Sequence, residues 1–243
     1  MPVHAVLLDI EGTTTPINFV YQVLFPYARK HVQNFLAAHF SAEEVQSDVS
    51  LLLKEHAEDK LRGLQPPDLP GSPEAPRLES VLAYFLWLMD QDRKSTGLKS
   101  LQGKIWQDGY RAGALRSQVF PDVPPALAAW HARSIDICIY SSGSVLAQKL
   151  LFAHTEAGDL TKFIKGYFDT TTGTKTDPQS YRRIAIALEC PVSAIFFISD
   201  VTSELSAALT SGMRTALCQR PGNREQSEAS KHPVIRSFAE LNL

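Results

Sequence analysis

Short, continuous apolar runs recur along the chain, once near its start and then repeatedly through its second half. They predict strands at 3–10, 135–141, 164–169, 194–200 and 215–218. Continuous runs of this length are typical of parallel strands that helices cover on both faces. Patterns of helical period lie between or beside the later runs, at 123–133, 145–154, 180–188 and 204–211. Gly212 is the expected C-cap of the last helix. This alternation predicts an α/β fold with a Rossmann-like, doubly wound parallel sheet.

The residues between the first and second predicted strands do not follow this alternation. Apolar residues at helical spacing predict an amphipathic helix through Leu78, Val81, Leu82, Phe85, Leu86 and Met89. A further helix is expected at 98–111, while the Pro- and Gly-rich segment 65–76 predicts a loop. The order Ser-Ala-Glu-Glu at 41–44 is typical of a capping box, and it predicts a helix that continues to about Lys60.

The length of 243 residues suits one domain with a large insertion. We expect residues 1–16 and 116–243 to form the α/β core. Residues 17–115 would form an α-helical cap, inserted between the first and second core strands. The polar segment 221–233 predicts a surface loop.

Composition limits the classes of partner. A hydrophobic content of 44% and a net charge of −2 are ordinary for a soluble globular protein, and they indicate neither a nucleic-acid nor a membrane partner. The apolar runs are shorter than the roughly 20 residues of a membrane span, and the first ten residues lack the basic start of a secretory signal. Cys138, Cys190 and Cys218 are far apart in the sequence, which favours reduced thiols and a cytoplasmic location.

Polar residues that could take part in catalysis or binding follow the ends of the predicted strands. In chain order they are Asp9 and Glu11, then Ser141, Ser142 and Gly143, then Lys175, then Asp200. In open α/β sheets, ligands bind outside the carboxyl ends of the strands, near the point where strand order reverses. We therefore expect these side chains to gather at one site.

The acidic and basic residues of this set suit phosphoryl transfer. A carboxylate such as Asp9 can attack phosphorus and form an aspartyl phosphate, which divides one difficult step into two. Asp9 and Asp200 offer the oxygen ligands that Mg²⁺ prefers. Lys175 would add fixed positive charge near the phosphoryl oxygens, so that metal and lysine together offset the repulsion among carboxylates.

The remaining residues suit binding and proton transfer. The Ser141 hydroxyl and the amides of Ser142 and Gly143 can donate to phosphoryl oxygens at the start of a helix. Glu11 lies two residues after Asp9, so on an extended chain it points the same way and can reach the leaving oxygen. There it would act as general acid and then as general base for the hydrolytic water. Each feature alone has a structural explanation, such as a helix cap for Asp200. Their shared position at strand ends favours a site.

The motifs resemble those of the haloacid dehalogenase superfamily. DIEGT at 9–13 resembles its motif I, usually DxDx[TV], with Glu11 in place of the second Asp. Ser141 matches motif II, Lys175 motif III, and Asp200 with Glu204 the acidic motif IV. The segments DIEGTTTPINFV, IYSSGSVLAQKLLF, YFDTTTGTK and FFISDVTSELSAA further resemble the enolase-phosphatase family of methionine salvage, in which DIEGTT is the normal pattern.

This resemblance implies a two-stage reaction on 2,3-diketo-5-methylthiopentyl-1-phosphate: enolisation, then hydrolysis through an aspartyl phosphate to the acireductone 1,2-dihydroxy-3-keto-5-methylthiopentene and inorganic phosphate. It implies one Mg²⁺ per chain, bound through Asp9, the backbone carbonyl of Glu11, and Asp200. Substrate contacts are implied at Ser141, Ser142 and Lys175, and the family typically acts as a monomer.

Several assignments stay open. The enolisation base is Glu11 or a cap residue, with His31, His56 and Lys60 as candidates. The methylthio tail would contact residues drawn from Phe19, Val20, Phe85 and Trp87. Alternative functions are a phosphatase of the same superfamily acting on another small phosphate ester, a phosphomutase, or a non-catalytic phosphoester-binding module.

Overall fold

The computed structural model describes residues 2–69, 71–72, 75–226 and 231–243. Its strands, in chain order, are β1 (Ala5–Leu8), β2 (Gly71–Ser72), β3 (Ala75–Pro76), β4 (Asp136–Tyr140), β5 (Gly166–Phe168), β6 (Ile195–Ser199), β7 (Arg214–Cys218) and β8 (Val234–Ile235). Its α-helices are α1 (Ile17–Phe19), α2 (Phe25–His39), α3 (Glu43–Leu61), α4 (Leu78–Asp90), α5 (Thr96–Arg111), α6 (Val123–Ala132), α7 (Val145–Ala153), α8 (Pro178–Ala187) and α9 (Thr202–Ser211). A π-helical stretch, Val20–Leu24, joins α1 to α2, and 3₁₀ turns are found at Thr161–Phe163, Val192–Ala194 and Phe238–Glu240.

The chain divides into two compact units, one formed by Met1–Val23 with Leu115–Leu243 and the other by Leu24–Ala114. The two changes of unit thus fall after Val23 and after Ala114, whereas the predicted boundaries lie after residues 16 and 115. The role of the helical unit as a cap stays a prediction. Among the described residues, no helix is both long and apolar enough to cross a membrane.

The first unit contains a six-stranded sheet in the order β5-β4-β1-β6-β7-β8. Every neighbouring pair is parallel, and β1 lies between β4 and β6. Parallel neighbours need crossover connections, which the helices of this unit supply. The predicted doubly wound α/β fold is confirmed.

Alternate residues of β1 pack against helices on opposite faces of the sheet. Val6 and Leu8 belong to a core that includes Leu127 of α6 and Phe152 of α7. Leu7 belongs to a second core, with Tyr181 and Ile184 of α8 and Leu205 of α9. A strand buried on both faces reads as a continuous apolar run, which explains the pattern in the sequence.

The sheet order brings three strand ends together. Leu8 pairs with Ile139 on one side and with Ile198 on the other. The chain therefore leaves β1, β4 and β6 at the same edge. This edge is the site edge of the sheet, where strand order reverses around β1.

The second unit is helical, with α2, α3, α4 and α5 packed against one another. Its interior includes Leu36, Leu52, Phe85 and Leu101, all essentially inaccessible to solvent. A buried charged network joins α3 to α4 and to the segment after it. Asp59 accepts from Tyr84 Oη at 2.8 Å and pairs with Arg93 Nη2 at 2.8 Å.

Several local predictions were wrong in detail. The predicted capping box at 41–44 does not form. Helix α3 begins at Glu43 with Ala42 at its N-cap and no side-chain cap, because Ser41 lies one residue too early. Glu43 and Glu44 nevertheless stand in the first turn, where the helix dipole favours negative charge. By contrast, Gly212 is the C-cap of α9, with a left-handed φ of 105° as expected.

Two predicted loops are only partly described. The antiparallel pair β2–β3 lies within 65–76, where a loop was predicted, while residues 70, 73 and 74 lie outside the described residues. Of the predicted surface loop 221–233, residues 227–230 lie outside them as well. The two-residue strand β8, which follows this segment, was not predicted because it is too short to have a period.

Candidate active site

Asp9 is the first residue after β1, and its carboxylate is buried among polar groups. Its backbone N–H donates to Ile198 O at 3.0 Å, which ties the residue to the end of β6. Carboxylate Oδ1 accepts from the Ile10 N–H at 2.8 Å and lies 2.6 Å from Lys175 Nζ. The second oxygen, Oδ2, lies 3.3 Å from Ser199 Oγ. The contacts with Ile10, Lys175 and Ser199 hold the carboxylate in one orientation.

Lys175 stands between two carboxylates. Its Nζ lies 2.6 Å from Asp9 Oδ1 and 2.7 Å from Glu204 Oε2, and its side chain is 10% exposed. Burial alone would lower the pKa of this amine, but the charges of Asp9 and Glu204 raise the pKa above its ordinary value. Lys175 is therefore a permanent cation in the site.

The loop that carries Lys175 is held from the sheet and from α8. Tyr181 Oη donates to Lys175 O at 2.7 Å, and Tyr140 Oη donates to Gly173 O at 2.9 Å. The tyrosine rings themselves meet edge to face, with centroids 5.6 Å apart. Two buried tyrosines thus fix the backbone on both sides of the lysine.

Asp200 and Glu204 follow β6 and complete an acidic cluster. Burial, followed by the charge of Asp9, raises the pKa of each carboxyl group to about 7. Ser199 Oγ lies 2.8 Å from Glu204 Oε2 and also contacts Asp9, so that it links two of the carboxylates. Burial and the neighbouring carboxylates together raise these values, and the cluster of acidic groups predicts a site that attracts cations.

Glu11 faces the loop after β4. Ser141 Oγ donates to Glu11 Oε2 at 3.4 Å and accepts from the Gly143 N–H at 3.1 Å. Burial, and then the charge of Asp9, raises the pKa of Glu11 above its ordinary value. A raised pKa favours the protonated acid, which is the form that can donate to a leaving oxygen.

The loop after β4 leads into α7 and is fixed by side-chain hydrogen bonds. Ser144 caps α7 by accepting from the Ala147 N–H at 3.3 Å. Gln148 of α7 donates to Gly143 O at 2.9 Å and to Phe168 O at 2.8 Å, which fixes the loop against β5. Ser142 lies between Ser141 and Gly143 and is partly buried. The Gly143 amide, one of the predicted phosphate donors, is already bonded to Ser141 Oγ.

Most of the cap residues that the sequence offers as candidates belong to the helical unit. His56 is buried inside the helical unit, with Nε2 2.8 Å from Pro67 O, and Lys60 pairs with exposed Asp68 at 3.0 Å. His31 stacks on Tyr27, with ring centroids 4.1 Å apart. Phe85 is wholly buried, which fits packing inside its own unit.

The oxygen atoms at the site edge are the expected ligands of a divalent ion. In the described part of the chain, no three His, Cys, Asp or Glu side chains have the arrangement of a metal site. The ligand set expected from the sequence, however, uses only two carboxylates, Asp9 and Asp200, with the backbone oxygen of Glu11. A Cβ at Gly12 would lie 2.4 Å from Asp200 Oδ2, so the backbone after Glu11 passes directly beside that carboxylate. Carboxylate and carbonyl oxygens on adjacent backbone segments are donors of the kind that Mg²⁺ prefers.

Sequence reasoning missed two residues of the site. Ser199 bridges carboxylates, and its only sequence signal is its position between an apolar strand and Asp200. Asn223 donates to Gly12 O at 2.9 Å across 211 residues of chain, and no local pattern marks it. The predicted residues Asp9, Glu11, Ser141, Lys175 and Asp200 all lie at the site edge.

Known proteins resemble the chain along nearly its whole length. Residues 3–212 match the haloacid dehalogenase-like hydrolase family. Enolase-phosphatase E1 of Synechococcus elongatus is 48% identical over 98% of each chain, and Enolase-phosphatase E1 of Salmo salar is 41% identical over 98% of this chain and 94% of its own. The crystal structure of the UTR4 protein of Saccharomyces cerevisiae matches with a TM-score of 0.78 and 33% identity, covering 98% of this chain and 100% of that one. The chain therefore belongs to the enolase-phosphatase E1 family of the haloacid dehalogenase-like hydrolases.

Proposed function

We propose that this chain is a bifunctional enolase-phosphatase that converts 2,3-diketo-5-methylthiopentyl-1-phosphate to the acireductone in methionine salvage. The observation that carries the proposal is the Asp9 carboxylate, held 2.6 Å from Lys175 Nζ in the middle of an acidic cluster. A carboxylate fixed in this way is oriented for attack and is prevented from turning into the core. The names of relatives at 41–48% identity support the choice of substrate.

In the phosphatase stage, an oxygen of Asp9 forms a bond to phosphorus while the bond from phosphorus to the ester oxygen breaks. Lys175 balances negative charge on the phosphoryl oxygens, and Ser141 with the Ser142 amide donates to them. Glu11 gives its proton to the leaving oxygen. It then takes a proton from the water that attacks the aspartyl phosphate, which releases inorganic phosphate and restores Asp9.

In the enolisation stage, a base removes a proton from carbon next to a carbonyl group. Glu11 is the leading candidate, because it lies beside the Ser141 loop that would hold the phosphate-bearing end of the substrate. Its raised pKa makes its ionised form a stronger base than an ordinary glutamate. Burial of His56 against Pro67 O disfavours that residue as the base.

One Mg²⁺ per chain completes the proposed site, with Asp9, the Glu11 backbone carbonyl and Asp200 as its ligands. When bound, this ion supplies positive charge that polarises a carbonyl or phosphoryl oxygen. The residues bind the ion and orient the substrate against it. The proposed protein acts as a cytoplasmic monomer on a small phosphate ester, with neither a nucleic-acid nor a membrane partner.

The test is to incubate the purified protein with the diketone phosphate and Mg²⁺ while acireductone absorbance and free phosphate are followed together. Both products should appear in equal amounts, and chelation should stop the reaction until Mg²⁺ is restored. Asp9→Asn should abolish phosphate release with an unchanged melting profile. Asp136→Asn, at the opposite end of β4, is the matched control and should retain activity. Turnover of generic phosphate esters in preference to the diketone phosphate would refute the substrate, and binding without turnover would refute the enzyme.

A further inference from the structure

The loop after β7 reaches back to the turn that follows β1. Asn223 Nδ2 donates to Gly12 O at 2.9 Å and to Cys218 O at 3.2 Å. Arg220 Nε donates to Thr13 O at 3.2 Å. Two successive carbonyl groups of the turn after Glu11 are therefore held by one loop, which leaves β7 at the same edge of the sheet.

Gly12 is the residue that makes this approach possible. Its φ is +72°, a left-handed conformation that glycine adopts at little cost. A Cβ at this position would lie 2.4 Å from Asp200 Oδ2 and 2.9 Å from Asn223 Oδ1, closer than any side chain tolerates. The turn thus stands directly against Asp200 and Asn223, and these two residues also line a common cavity of about 220 Å³.

The hydrogen bonds of Gly12 fix the orientation of the Glu11 carbonyl. The Gly12 N–H donates to Thr15 O at 2.8 Å. In a trans peptide the N–H and the preceding C=O point in opposite directions, so this bond sets where the Glu11 carbonyl points. Asn223 donates to the carbonyl of Gly12 itself. Hydrogen bonds therefore hold both the N–H and the C=O of Gly12.

We propose that Asn223 is a positioning residue for the ion site: its amide clamps the Gly12 turn so that the Glu11 carbonyl and Asp200 face one divalent ion. This inference rests on the proposed function, because it assigns those two groups as ligands. A second observation points the same way. Asn223 Oδ1 is buried with no hydrogen-bond partner among the described residues, on the side where it approaches Asp200. An ion-bound water would provide the missing donor.

The choice between Asn223 and Arg220 follows from their other contacts. Arg220 Nη1 pairs with Asp122 at 2.9 Å and donates to Arg236 O at 2.9 Å, so its loss would disturb the packing of the whole unit. Asn223 contacts the turn and its own loop. A substitution at Asn223 therefore isolates the clamp.

The experiment is a calorimetric titration of Mg²⁺ alone into wild type, Asn223→Ala and Asn223→Asp, with thermal melting of each variant. Loss of an outer-shell partner typically weakens metal binding about 10- to 100-fold, and Asn223→Ala should show a loss of this size in the Kd for Mg²⁺. Its melting temperature should stay close to that of wild type. Asp136→Asn, at the opposite end of β4 from the site edge, is the control and should bind as wild type does.

Asn223→Asp distinguishes loss of the hydrogen bond to Gly12 O from a change of charge. It also provides the test if Asn223→Ala fails to fold. The aspartate keeps the size of the side chain but cannot donate to Gly12 O, while its added negative charge by itself attracts Mg²⁺. Weaker binding in Asn223→Asp supports the clamp. Tighter binding there, or unchanged affinity in Asn223→Ala, overturns it. Failure of the wild type to bind Mg²⁺ would instead refute the metal assignment of the proposed function.

Discussion

The Lys175 ion pairs allow a direct test of how much burial contributes to the energy of this site. Lys175 Nζ lies 2.6 Å from Asp9 Oδ1 and its side chain is 10% exposed. Lys165 Nζ lies at the same distance, 2.6 Å, from Asp136 Oδ2, but its side chain is 57% exposed. The two pairs belong to the same unit. They differ in access to water and in the second carboxylate, Glu204, that Lys175 also contacts. Substitution of each lysine by methionine keeps most of the side-chain volume and removes only the charge.

Burial makes the expected effects very different. Removal of one partner from a buried ion pair costs about 3–5 kcal/mol, because the remaining charge stays buried without compensation. In a chain of this size, each kcal/mol lowers the melting temperature by about 2–4 °C, so Lys175→Met should lower it by roughly 6–20 °C. An exposed pair contributes little, because water solvates both ions. Lys165→Met should therefore cause only a small fraction of that shift.

The assay is scanning calorimetry of both variants in chelator, at pH 8 and again at pH 5.5. In Lys175→Met the carboxylates of Asp9 and Glu204 lose their cation, and the pKa of Glu204, already raised to about 7, rises further above that of the unfolded chain. The penalty is then largest at pH 8, where Glu204 must be charged, and smaller at pH 5.5, where it can hold a proton. Equal shifts for the two lysine variants, or a larger shift at the lower pH, would refute this reasoning.

Three further predictions concern proton transfer, pH and the helical unit. Glu11→Gln should slow phosphate release about 10²- to 10⁴-fold, the usual contribution of a general acid–base group, and accumulation of an enol phosphate in this variant (by NMR) would exclude Glu11 as the enolisation base. The pKa values of Asp200 and Glu204 are raised to about 7, so the folded protein still holds protons at pH values where the unfolded chain has lost them. In chelator, the melting temperature should therefore fall as the pH rises from about 5 to 8. The double variant Asp200→Asn with Glu204→Gln should show a weaker dependence of melting temperature on pH. Tyr84→Phe removes a 2.8 Å hydrogen bond to the buried Asp59 carboxylate and should cost about 1.5–3 kcal/mol in urea unfolding, whereas an unaffected unfolding midpoint would show that Arg93 alone satisfies Asp59.

Much of the first unit could be predicted because its signals are local. A strand buried on both faces must be apolar at every position, so β1, β4 and β6 are visible as continuous runs. Four of the five predicted strands extend one or two residues beyond the observed ones, because the sequence does not show where the last ladder hydrogen bond lies, while β7 begins at Arg214, one residue before its prediction. The carboxylate at position 9 was nevertheless located correctly, because a charged residue after an apolar run marks the end of the strand.

The helical unit was predicted less completely. Helices α4 and α5 have clear apolar periods, but α2 was not predicted separately, because its polar residues interrupt the pattern. The capping box failed at Ser41 because a cap depends on backbone dihedrals that a four-residue pattern does not fix. The side-chain network of the helical unit, formed by Asp59, Tyr84 and Arg93, joins residues up to 34 positions apart, and a local hydrophobic pattern cannot predict such a contact.

The sequence by itself determined the class of fold, the order of its strands and helices along the chain, and which polar residues stand at strand ends. Those properties follow from burial and backbone period, which act over a few neighbouring residues. Only the tertiary structure decided that Lys175 bridges Asp9 and Glu204, that Ser199 joins two carboxylates, and that Asn223 holds the turn at Gly12. These contacts depend on the order β5-β4-β1-β6-β7-β8, and the hydrophobic pattern of a strand carries no information about which strand lies beside it.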